Sequence, residues 1–105
     1  VHYGLPNDGA EVIARRIAGT RLPVALGVNL VVTNRGHRTA PLGADETIGE
    51  YVAAAQVLAG RADYLMLNLS CPNTSDGRDF FADADHLDAC FAAFGESRPT
   101  IPVFF

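Results

Sequence analysis

Three apolar runs of strand length, Pro23–Leu30, Asp63–Leu69 and Pro99–Phe105, alternate along the chain with three stretches of helical periodicity. That alternation constrains the fold more than any other feature, because neighbouring parallel strands need a crossover of about a dozen residues, usually a helix. Asp8, followed three residues later by Glu11, reads as a capping box for a helix through about Ala18, with Gly19 closing it. Val12, Ile13 and Ile17 share one face of that helix. Behind a cap at Asp45, Ile48, Tyr51, Val52, Ala55 and Leu58 step at helical spacing, and Leu87, Cys90, Phe91 and Phe94 form the stripe of a third helix. The polar stretch from Thr33 to Ala44 and the segment after Leu69, out to about Ala82, read as loops. The expected class is therefore α/β, about three β/α units with parallel strands, in one domain over residues 1–105.

Composition narrows the function classes. Hydrophobic residues make up 49% and charged residues 19%, which is the balance of a chain that can bury a core. A net charge of -4 with no basic patch gives nucleic acid nothing to hold. The apolar runs fall well short of the roughly 20 residues of a spanning helix. The opening Val1-His2-Tyr3-Gly4-Leu5-Pro6 has neither a basic leader nor an initiator methionine, so the sequence reads as starting inside a longer protein. GxGxxG and GxxxxGK[ST] nucleotide loops are absent. His2, His37 and His86 lack metal-ligand spacing, and no metal site is expected. Two cysteines make no disulfide framework. Cys90, inside an aromatic stripe, reads as a core thiol.

The second apolar run ends in chemistry. At a period of two, Leu65, Leu67 and Leu69 share one face, suited to helices, while Tyr64, Met66, Asn68 and Ser70 share the other. Cys71 follows where the strand gives way, Pro72 restricts its backbone, and Asn73 supplies a second carboxamide. Carboxamides offer donors and acceptors to a planar polar heterocycle. A thiol, with a reference pKa of about 8.5, can act as a base once it is a thiolate. The first apolar run likewise ends near an asparagine, Asn29, with small Ala25 and Gly27 on the same face. In a β/α barrel the chemistry sits at the carboxyl ends of the strands.

Asn68-Leu69-Ser70-Cys71-Pro72-Asn73 resembles the strand-loop signature of dihydroorotate dehydrogenases, and dihydropyrimidine dehydrogenases carry a close relative of it. Gly4-Leu5-Pro6-Asn7-Asp8-Gly9 and Leu26-Gly27-Val28-Asn29-Leu30 are similar to segments of the class 2 members. The resemblance covers essentially the whole chain and implies an FMN-bearing (β/α)₈ TIM barrel that oxidises dihydroorotate to orotate in pyrimidine biosynthesis. It implies that Cys71 removes a proton from C5 of the substrate, that Asn68 and Asn73 hold the substrate, and that Asn29 and Asn68 lie against the FMN. Arg78 matches a family arginine that can meet a substrate carboxylate. Cysteine at the position of Cys71 is typical of soluble class 1 enzymes, and serine of membrane-associated, quinone-reducing class 2 enzymes. The chain thus looks like a class 2 frame holding a class 1 base. The implied electron acceptor is a quinone or fumarate, and the implied location is the cytoplasm, extending to the inner membrane surface for the complete protein.

Plainer roles stand beside each of these. Asn68 can tie down a loop, Asn29 can cap backbone, Cys71 can be an inert buried thiol, and Arg78 can be an ordinary exposed arginine. Ser70 reads as a hydrogen-bonding neighbour and not as a second base. A TIM barrel needs about 250 residues and eight strands, so 105 residues are expected to be a fragment of one, inactive alone. Two further readings remain open: a non-catalytic module that forms a homo-oligomer to cover its sheet edges, and a flavin dehydrogenase acting on a different pyrimidine. The loop Thr74-Ser75-Asp76-Gly77-Arg78, where the family usually has Thr-Pro-Gly-Leu-Arg, keeps the last of these in play.

Overall fold

A computed structural model describes residues 6–33, 40, 42–71 and 77–105. In chain order these form α1 (Ala10–Ile17), β1 (Gly27–Leu30), α2 (Ala44–Leu58), β2 (Tyr64–Leu67), the single turn α3 (Gly77–Phe80), α4 (Ala84–Ser97) and β3 (Val103–Phe104). The strands form one sheet in the order β1-β2-β3, with both pairings parallel. This is the expected α/β architecture, three parallel strands with helices between them. No helix among the described residues is long and apolar enough to cross a membrane.

The register explains the two faces of the sheet. Val28 pairs with Leu65, Leu30 with Leu67, and Leu65 with Val103. These residues turn toward the helices. Leu65 is fully buried, and Leu30 and Leu67 join Ile48, Tyr51, Ala55, Leu58, Cys90 and Phe94 in one core. The alternate residues, Gly27 beside Tyr64, and Met66 between Asn29 and Phe104, face away from the helices. Met66 is 45% exposed and Phe104 53% exposed, so the second face carries no covering layer. Parallel sheets normally bury both faces, and this one-sided cover is what part of a barrel has when its interior is open.

Several local expectations are corrected. The strands are shorter than the apolar runs, because residues 23–26 and 99–102 lie outside the ladder. Leu26 still anchors the start of β2, accepting the Asp63 N–H at 2.8 Å and donating its own N–H to Asp63 Oδ2 at 2.7 Å. Asp8 does not cap α1. Gly9 takes that place with φ 87°, a left-handed value that glycine adopts without strain, and Asn7 Oδ1 accepts its N–H at 2.8 Å. Asp8 instead meets Arg16 at 2.6 Å, an exposed pair of little energetic weight. Asp45 is not a cap either. α2 begins two residues earlier than that cap would place it, behind Gly43, whose N–H is accepted by Glu46 Oε2 at 3.0 Å. Within α4, Cys90 and Phe94 are buried as the stripe requires, but Phe91 is 43% exposed and packs edge-on against Phe105.

Candidate active site

The carboxyl ends of β1 and β2 lie side by side. The Asn68 N–H donates to the Leu30 carbonyl at 2.8 Å, continuing the ladder one residue past the paired strands. Asn29 is exposed on the open face, and Asn68 follows Met66 at the same period on that face, half-buried. Two carboxamides thus stand at neighbouring strand ends, on the face that also carries the Met66 side chain. The Asn68 Oδ1 accepts the Ser70 N–H at 3.3 Å, an Asx-type turn that starts the motif loop. The loop-tying role of Asn68 is therefore present. It uses one acceptor of the carboxamide and neither of its N–H donors.

Cys71 is 3% exposed. Its thiol, like that of Cys90 and the Glu50 carboxylate, stands close enough to the Tyr51 hydroxyl to oppose its ionisation. Burial pushes the Cys90 thiol pKa up, in keeping with an unreactive core thiol. Asn73 and the Arg78 side chain lie outside the described residues, as do His2 and His37. His86 donates from Nδ1 to the Phe80 carbonyl at 2.9 Å and stacks on the Phe80 ring. Among the described residues no cluster of three or more His, Cys, Asp or Glu could hold a metal.

The space beside Gly27 is taken. The Tyr64 ring lies against the Gly27 Cα, in the volume a Cβ would need, and meets Phe104 edge-on at 5.7 Å. With no layer over this face, the ring gains burial by folding onto the one strand position without a side chain. Ala25 is exposed and precedes β1. The polar cradle that remains is Asn29 and Asn68 around Met66, and its donors and acceptors suit the edge of a planar heterocycle such as a flavin or a pyrimidine.

Two residues of this region were not singled out by sequence reasoning for any role beyond the core. Glu50 Oε2 accepts the Thr33 N–H at 3.0 Å, just past β1. The neighbouring Tyr51 donates its hydroxyl to the Asn68 carbonyl at 2.9 Å, just past β2. The first half of α2 therefore fastens both strand ends. Tyr51 showed only as part of a helical stripe, and its adjacency to a carboxylate midway along a crossover helix is the one available signal.

The family model for dihydroorotate dehydrogenase matches residues 2–105. The chain belongs to the dihydroorotate dehydrogenase family. Among curated relatives, the dihydroorotate dehydrogenase (quinone) of Streptomyces coelicolor is 39% identical over 82 residues, 75% of this chain and 20% of that protein. The protein of the same name from an Anaeromyxobacter species is 38% identical over 101 residues, 94% of this chain and 26% of its own length. One from a Synechococcus species is 35% identical over 104 residues, covering 97% of this chain and 26% of its own. The chain thus spans about a quarter or less of the relatives it matches. The described fold, three parallel strands with helices between them, is consistent with part of a barrel of that family.

Proposed function

We propose that this chain is the substrate-holding sector of an FMN-dependent (β/α)₈ dehydrogenase that oxidises dihydroorotate to orotate, passing electrons on to a quinone. The observation that carries the reading is the pair Asn29 and Asn68, on the same uncovered face at the carboxyl ends of two hydrogen-bonded parallel strands. Asn29 and Asn68 would hold the flavin edge, and Asn68 and Asn73 the pyrimidine, with Arg78 directed at its carboxylate. When bound, the flavin supplies the acceptor for the two electrons and the hydrogen that leave C6.

Cys71 supplies the base. Its thiolate takes the proton from C5 of dihydroorotate, the C5–H electron pair becomes the C5=C6 double bond, and the thiol later returns the proton to water. Because Cys71 is 3% exposed in the chain alone, this step entails a turn of residues 70–71 that brings Sγ to the open face. The quinone in the relatives' names supports that acceptor, and on this reading the complete protein works in the cytoplasm at the inner membrane surface.

The test is a graft. The matching segment of the Anaeromyxobacter relative is replaced by this chain, and flavin bleaching is followed with dihydroorotate and with dihydrouracil. Bleaching by dihydroorotate supports the proposal. Bleaching by dihydrouracil alone moves the substrate to another pyrimidine, and flavin loading without bleaching by either overturns the reading.

A further inference from the structure

We infer that Tyr51 is a positioning residue of this site, clasping both stems of the loop that carries the motif. On the leading stem, its hydroxyl donates to the Asn68 carbonyl at 2.9 Å, the last described backbone acceptor before the Asx turn to Ser70. On the returning stem, the same ring meets Phe81 edge-on, with centroids 5.8 Å apart and planes at 70°. Phe81 is held in turn by Phe80 at 4.7 Å, and Phe80 by the parallel ring of His86 at 4.1 Å, at the start of α4. Both ends of the segment from Asn68 to Phe81 therefore rest on one side chain that is 1% exposed.

Tyr51 can serve as a fixed point because its own helix is fixed. Glu50 holds Thr33 past β1, so the hydroxyl sets the height of Asn68 relative to the strand that carries Asn29. Burial pushes the phenol pKa up to about 12, so the hydroxyl remains a donor throughout the neutral range. Phenylalanine would fill nearly the same volume and keep the Phe81 contact, while losing the grip on Asn68. The two halves of the clasp are thus separable by mutation.

What the loop does once positioned rests on the function proposed above, but the clasp is tested with neither substrate nor cofactor. The 105-residue chain is labelled with iodoacetamide, and the rates at Cys71 and Cys90 are read separately by peptide mass. Cys90, fully buried in the same core, reports global opening. Tyr51→Phe is expected to raise the Cys71 to Cys90 rate ratio about tenfold, and Phe81→Leu, which releases the other stem, to raise it as well. A merely structural tyrosine would speed both thiols equally or Cys90 more. A ratio that stays level or falls in both variants overturns the inference, whatever becomes of the proposed reaction.

Discussion

The Tyr51 hydroxyl donates to the Asn68 carbonyl at 2.9 Å across the junction between α2 and the end of β2. This part-buried bond leaves an under-satisfied carbonyl when its donor is removed. Tyr51→Phe is therefore expected to lower global stability by about 1–2 kcal/mol, measured by urea denaturation. An unchanged midpoint would mean that water replaces the phenol at no cost.

The same residue predicts an alkaline limit. Its pKa rises from 10.0 to about 12, first by burial and then by the nearby Cys90, Cys71 and Glu50, while a backbone hydrogen bond from Val32 works against the rise. The folded value is raised, so the folded state keeps its proton where the unfolded chain has lost it. The stabilisation is fully present below about pH 10 and is lost as pH climbs toward about 12, amounting to roughly 2 kcal/mol. The chain has no lysine to blur that window. Denaturation midpoints should fall over this range in the native chain and fall less in Tyr51→Phe.

Leu65 and Met66 are neighbours with opposite fates, fully buried and 45% exposed. Leu65→Ala should cost about 2–5 kcal/mol through lost burial and the cavity left behind. Met66→Ala should stay within about 0.5 kcal/mol. Comparable losses at both positions would show that the open face is covered in solution.

Met66 and Phe104 also make the uncovered face adhesive. The isolated chain is expected to self-associate as its concentration rises, and the pair Met66→Lys and Phe104→Lys to restore a monomer by light scattering. A concentration-independent monomer in the unmodified chain would contradict this.

Much of the architecture was legible in the sequence because it follows from periodicity. The two-residue alternation of Leu65 and Leu67 against Met66 and Asn68 named the covered and open faces correctly, since a register error would have turned every side chain over. The helix starts were less legible. Asp8 and Glu11 matched a capping pattern, but a cap is decided by backbone angles, and Gly9 at φ 87° moved the start. Asn29 and Asn68 were recognisable as strand-end amides. The Tyr64 ring over Gly27 and the Tyr51 clasp were not, because each depends on which side chains meet after the helices dock.

Cys71 is the proposed base for dihydroorotate oxidation, and the grafted protein puts that role to the test. Flavin content and the rate of flavin reduction by dihydroorotate are measured for the graft and for its Cys71→Ser variant across pH. Flavin content is expected to stay unchanged and reduction to slow about a hundredfold near neutrality, because a serine hydroxyl gives up its proton far less readily. Equal reduction rates in the two proteins at every pH would remove Cys71 from the chemistry.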